Sequence, residues 1–225
     1  MPIFDGPDQL YLVRHGETHS NREQRFQGQL DDPLSAAGQT QAEALGRWLA
    51  GCPVRFGAIY SSDLRRTAET AEIAGAHLGL TPVLAPGLRE IDCGEWQGLT
   101  GAEIEAHFPG GLQTWLDEVA TYCLPGGESV PDLQRRIVAF YEDTVALRRD
   151  KAVLLVSHGL ALSVLIAALL GWDLVEAWRE RRAGMANTGV TVLVRDPGQG
   201  GYRLDRLNST EHLPRDADLP ATVTG

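Results

Sequence analysis

Residues 151–157, KAVLLVS, carry five apolar side chains in succession, without the alternation of a strand that keeps one wet face. Such a strand belongs inside a parallel sheet covered on both sides. His158 and Gly159 follow, and then LALSVLIAALL (160–170), an apolar run too short to cross a bilayer and read as a helix lying on that sheet. The rest of the chain repeats the pattern. QLYLVR (9–14) and GAIYSS (57–62) are candidate strands, with a short third at 82–84. Helices are predicted over 35–51, with Ser35 as N-cap and Gly51 as stop, and over 63–79, ending at glycine. A long helix is predicted over 129–150, with Ser129 as N-cap and Pro131 tolerated in its first turn. TGAEIEAHFPG and LQTWLDEVA look helical on either side of Pro109, Gly110 and Gly111, and TGVTVLVRD with GYRLDRL forms a terminal antiparallel pair around the DPGQGG turn. The expected fold class is α/β, a mostly parallel central sheet with helices on both faces. At 225 residues a single domain, 1–225, accommodates the pattern.

Lys and Arg number 20 against 30 Asp and Glu, a formal net charge of −10. That balance argues against a nucleic-acid or anionic-membrane surface, so an anion would have to be held in a local basic pocket. MPIFDGPDQLYLV has neither the basic nor the long apolar region of a signal peptide. Cys52, Cys93 and Cys123 are odd in number and lack CxxC spacing. The expectation is a cytoplasmic protein with no disulfide framework and no zinc site. HExxH, GxxxxGKS/T and GxGxxG are all absent, which removes the commonest signatures of metalloproteases and nucleotide-binding enzymes.

Three of the candidate strands end on chemically loaded residues: Arg14-His15, Ser61-Ser62 ahead of Arg65-Arg66, and Ser157-His158. In parallel α/β sheets ligands sit beyond the carboxyl ends of the strands. Distant parts of the chain therefore converge on one pocket with two imidazoles and several arginines. Arginine is bidentate toward phosphate oxygens, and neighbouring cations hold an imidazole in its neutral, nucleophilic form. Such a pocket suits phosphoryl transfer, with the cations stabilising equatorial oxygens and an acid protonating the leaving oxygen.

RHGET followed by Asn21, SSDLRRTAETA, LREIDCGEWQG and VSHG occur in that order, and the pattern resembles the histidine phosphatase superfamily, phosphoglycerate mutase-like branch, over about residues 9–210. The resemblance implies a three-layer α/β/α fold with a small helical cap, inserted at about 99–130, over the active site. It implies that His15 is the nucleophile that becomes phosphohistidine and that Arg14 binds the phosphate. Asn21, Gln27 and Gly28 match the loop that closes over the phosphate. Arg66, rather than Arg65, matches the second phosphate-binding arginine. Glu90, rather than Asp92 or Glu95, matches the proton donor. His158 matches the second pocket histidine, which stabilises the transferring group. Leu160 stands where many relatives have a small residue, with little expected consequence. His19, His77, His107 and His212 have no motif support and are read as structural. Trp96, Trp115 and Tyr122 are read as packing under the cap, and Arg22 and Arg25 either add positive field or are rim residues.

Within the superfamily the fork is hydrolysis against phosphoglycerate mutation. The stretch between Gly98 and Ser129 is short, Gly101 stands where mutases usually carry lysine, and PGGES (125–129) looks like the phosphatase side. The favoured reading is a metal-independent phosphomonoesterase acting on a small phosphorylated metabolite. It would need no cofactor, with 2,3-bisphosphoglycerate entering only on the mutase alternative. A non-catalytic phosphate-binding module is the third reading. A monomer or a homodimer is expected, and the tail 213–225, rich in Pro and Asp, is expected to be poorly ordered.

Overall fold

The computed structural model describes residues 6–214, apart from 197 and 199. Along the chain these form β1 (Gln9–Arg14), α1 (His19–Arg22), α2 (Ala36–Ala50), β2 (Phe56–Ser61), α3 (Arg65–Leu78) and β3 (Val83–Leu84). Next come α4 (Gly101–His107), α5 (Gly111–Asp117), α6 (Val130–Phe140), β4 (Ala152–Ser157) and α7 (Gly159–Leu170). The last elements are α8 (Leu174–Arg179), β5 (Val190–Arg195) and β6 (Tyr202–Ser209). The six strands form one sheet in the order β3-β2-β4-β1-β5-β6. The first four are mutually parallel, while β5 runs antiparallel to both β1 and β6. The sheet is therefore mixed, as the alternating pattern with a terminal hairpin requires.

Its two faces are both dry, for the reason visible in KAVLLVS. Leu10, Leu12, Val153 and Leu155 pack with Leu133, Ile137, Leu162 and Leu165 from α6 and α7. Their neighbours Tyr11, Val13, Leu154 and Val156 pack on the other side with Leu45 and Leu49 of α2 and Ala71 and Ala74 of α3. One strand thus serves two cores, because its side chains alternate between faces. Truncating a central residue such as Leu155, which is fully buried, to alanine costs about 2–5 kcal/mol.

Local chemistry sets the helix ends. The Ser35 hydroxyl accepts from the Gly38 N–H, and Ser129 with Asp132 and Thr100 with Glu103 form reciprocal capping boxes. The helix expected over 129–150 ends early. At Tyr141–Val145 it widens to a π turn, with Ala146 N–H donating to Tyr141 O at 2.8 Å. Tyr141 and Val145 are both fully buried in that turn, so the extra residue keeps both side chains in the core while the chain turns toward β4. Helices α1 and α8 were not expected from the sequence. Leu213, at the start of the expected loose tail, is buried; residues 215–225 lie outside the described residues, as do Pro197 and Gln199 of the hairpin turn. No helix among the described residues is long and apolar enough to cross a membrane.

Candidate active site

The parallel register sets Arg14 beside Ser157 and Ser61 beside Val156, so β1, β2 and β4 end together. The chain leaves β1 through His15, whose N–H donates to Ser157 O at 2.9 Å. Gly16 follows because a Cβ there would lie 2.6 Å from Gly38 O. Its N–H donates to Thr70 Oγ1 at 3.0 Å, tying the exit to α3.

His15 is 2 % exposed. Its Nδ1 lies 2.7 Å from Gly16 O, so Nδ1 carries the proton and donates. That leaves the Nε2 lone pair for chemistry, and Arg66 Nε donates toward it at 3.3 Å. Burial, then the Arg66 and Arg14 guanidinium groups, holds His15 well below the ordinary histidine range, so the ring is neutral. Of the two cations, distant Arg66 acts on His15 more strongly than the adjacent Arg14.

Arg66 is 1 % exposed, and burial lowers its pKa to about 10. It also holds the neighbouring loop, donating to Leu30 O at 2.6 Å and Gly28 O at 2.7 Å. Arg65 instead pairs with Glu69 at the surface, at 2.7 Å. Arg14 donates through Nη1 to Met185 O at 2.8 Å, while its buried Nε has no hydrogen-bond partner among the described residues. The His158 ring stands edge-on to His15 with centroids 5.3 Å apart. Its Nε2 meets Ser62 Oγ at 2.9 Å, and its buried Nδ1 has no partner among the described residues. Burial and then Arg66 keep this ring neutral as well. Arg14 Nε is therefore a buried donor whose cost an anionic ligand would remove, and His158 Nδ1 is another in the tautomer that places the proton on it.

Glu90 reaches the same cavity from the segment after α3. Its Oε1 accepts from Ile91 N–H at 3.0 Å and Ala161 N–H at 2.9 Å, and Oε2 accepts from Leu160 N–H at 3.1 Å. Two of those donors belong to the first turn of α7, the positive end of that helix dipole. Asp92 and Glu95, the rival carboxylates, do not line the cavity. Asn21 and Gln27 meet around Thr18: Asn21 Oδ1 accepts from Thr18 N–H at 3.1 Å, and Gln27 Oε1 accepts from the Thr18 hydroxyl at 2.9 Å. Gly28 has φ +50°, and a Cβ there would fall 2.6 Å from Gln97 Oε1. Only glycine keeps that loop against the cavity wall.

All eight residues expected from the motifs therefore gather at this end of the sheet. His15, Arg14, Arg66, Glu90, Asn21, Gln27 and Gly28 line one cavity with Trp115 and Leu160, while His158, edge-on to His15, is not among its lining residues. Histidines 19, 77, 107 and 212 do not line it; His77, for one, pairs with Glu43 at 2.8 Å. Arg25 does line it, but ion pairs with Glu23 and Glu103 at 2.7 and 2.9 Å offset its charge. Arg22 is exposed and outside it. Trp96 is fully buried packing, as expected, whereas Trp115 both packs against Trp96 and lines the site. Three supporting residues were missed. Asn187 donates to His15 O at 3.0 Å and Asn21 Oδ1 at 3.1 Å, Met185 O holds Arg14, and Ser62 holds His158. Ser62 was within a quoted motif; Met185 and Asn187 sit in a loop with no local pattern. No group of three or more metal-ligating His, Cys, Asp or Glu side chains occurs among the described residues.

A family model described as the histidine phosphatase superfamily (branch 1) matches residues 10–210. The chain belongs to this superfamily. A protein named probable phosphoglycerate mutase GpmB, from Salmonella choleraesuis, is 34% identical over 216 residues, 95% of this chain and 96% of that protein. The solved structure of a mycobacterial glucosyl-3-phosphoglycerate phosphatase with VO3 is similar at a TM-score of 0.80 and 38% identity, covering 90% of this chain and 99% of that one. The alpha-ribazole phosphatase of Shigella flexneri gives a TM-score of 0.76 at 25% identity, covering 90% and 96%. Relatives in sequence thus bear mutase names, and the solved structures that share this architecture bear phosphatase names. Phosphoryl-transfer chemistry is common to them.

Proposed function

We propose that the chain is a metal-independent phosphomonoesterase that works through phosphohistidine at His15. The observation that carries this reading is the Nε2 lone pair of a neutral, buried imidazole, fixed by the Nδ1–H bond to Gly16 O and facing the same cavity as Glu90. In the first step Nε2 forms a bond to phosphorus as the ester P–O bond breaks. The carboxylic acid form of Glu90 gives its proton to the departing alkoxide. Arg14, Arg66 and His158 bind the phosphoryl oxygens, and the Gly16 carbonyl offsets positive charge developing on the ring. In the second step the Glu90 carboxylate takes a proton from water, whose oxygen attacks phosphorus. The N–P bond breaks, inorganic phosphate leaves and Glu90 is protonated again.

Hydrolysis is favoured over mutation by the segment above the site. Residues 99–129 contain no Lys or Arg, so this wall offers no cation to a phosphoglycerate carboxylate or to the second phosphate of a bisphosphoglycerate. The mutase relatives keep the alternative in view, and a direct assay separates the two. His15→Ala is expected to lower p-nitrophenyl phosphate hydrolysis at least about 1,000-fold, and EDTA is expected to leave the wild-type rate unchanged. Retained turnover in the variant, or loss with EDTA, overturns the reading. Conversion of 3-phosphoglycerate to 2-phosphoglycerate with added 2,3-bisphosphoglycerate, faster than release of phosphate, would assign the mutase instead.

A further inference from the structure

A second cavity, of about 270 Å³, opens between α5, α7 and α8, and shares Trp115 and Leu160 with the cavity around His15. The junction lies at the proton donor, because Leu160 is the residue whose N–H holds Glu90 Oε2 at 3.1 Å. Trp115 and Leu160 thus border both the cavity of the proton donor and the second cavity. The walls are Trp115, Leu160, Val164, Ala167, Leu174 and Trp178. Polar groups within them are committed: Ser163 Oγ lies 2.8 Å from both Gly159 O and Ala183 O, and Trp178 Nε1 donates to Leu116 O at 3.1 Å. The hydroxyls of a sugar or a glycerol would be stripped of water there without replacement partners. The exception is the buried Trp115 Nε1, a donor with no partner among the described residues.

The cavity is also lined by Arg179 and Arg181, both exposed and neither in an ion pair among the described residues. Other arginines among the described residues are paired: Arg25, Arg65, Arg89, Arg136 and Arg148 each meet a carboxylate within 3.0 Å. Two unpaired guanidinium groups at the edge of an apolar cavity are suited to an anion. From these features, and resting on the phosphatase reading above, we infer that the leaving alcohol is an amphiphile. It has an apolar body of aromatic size in the α5–α7–α8 cavity and a carboxylate or similar anion at its far end, held by Arg179 and Arg181.

Three primary alkyl phosphates with similar leaving groups test this: glycerol 1-phosphate, 2-phenylethyl phosphate and 4-(2-phosphonooxyethyl)benzoate. The expected kcat/KM rises about tenfold from the first to the second and about tenfold again to the third. Arg179→Ala with Arg181→Ala removes the second step, read as the ratio of the two aromatic substrates, and Leu160→Ser shrinks the first. Equal values for the three esters, or preference for glycerol phosphate, overturn the inference while leaving the phosphatase reading intact. If no phosphomonoester, p-nitrophenyl phosphate included, is hydrolysed, the phosphatase reading fails, and the cavity is judged by binding alone. The free alcohol 4-(2-hydroxyethyl)benzoate should then quench the fluorescence of Trp115 and Trp178 saturably, with weaker binding in the double arginine variant. No saturable quench overturns the subsite.

Discussion

His15 is neutral chiefly because it is buried, and next because Arg66 and Arg14 face it. The sign of the pH effect follows. A histidine whose pKa lies well below the usual value stays unprotonated as pH falls through 6.5, so kcat/KM for p-nitrophenyl phosphate should show no histidine-type loss there. Arg66→Gln removes the cation with the larger effect on His15, and the acid limb should move upward while activity drops about 100- to 1,000-fold. An unmoved limb in the pH profile would show that burial alone sets the nucleophile. Glu90→Gln makes a different prediction. Single-turnover phosphorylation by an alkyl phosphate should fall far more than by p-nitrophenyl phosphate, whose leaving group needs no proton. Equal losses would place the proton donor elsewhere. At this scale the residues named from the motifs come together at one end of the sheet, but the second task of Arg66 was not legible in them. Its bonds to Gly28 O and Leu30 O depend on a loop remote in sequence, which no local pattern announces.

Among the elements, α6 has a role toward the site that its own sequence does not show. Arg136 on α6 pairs with Glu128 at 2.8 Å and donates to the backbone carbonyls of Arg89 at 2.9 Å and Glu90 at 3.1 Å. Glu128 in turn accepts from Asp92 N–H at 3.0 Å. The segment carrying the proton donor is thus gripped by a helix that never enters the cavity. Arg136→Met should lower kcat more than it raises KM for p-nitrophenyl phosphate. It should also destabilise the fold by about 1–3 kcal/mol, through loss of the ion pair to Glu128 and of the donors to the carbonyls of Arg89 and Glu90. A thermal melt beside steady-state kinetics checks both, and a pure KM effect would refute the positioning role. Helix and strand positions were readable because caps, glycine stops and apolar spacing are local. The π turn at Tyr141–Val145 was not, because two buried positions in the tertiary core, rather than propensity, decide where α6 ends.

For the molecule as a whole, the same buried histidines make the fold acid-sensitive. His15 and His158 are neutral when folded, with pKa values well below 6.5, whereas the unfolded chain protonates them near that value. Below pH 6.5 the unfolded state therefore binds more protons, and stability falls as pH falls. Urea denaturation at pH 7.5 and at pH 5.5 should therefore show a lower stability at the lower pH. His158→Gln should remove about half of that dependence, and an unchanged pH slope would mean that the ring is protonated in the folded state. The same convergence shows where sequence information ends. Alternating strands and helices, apolar runs and four ordered motifs were sufficient for the α/β class, the family and the residues gathered at the sheet's end, since each signal is carried by neighbours in the chain. Tertiary structure decided what those neighbours cannot encode: the tautomer of His15, the backbone grip on Glu90, the support from Met185 and Asn187, and the apolar cavity that borders the site at Trp115 and Leu160. Each depends on contacts between segments dozens of residues apart, and those exist only once the sheet has brought the segments together.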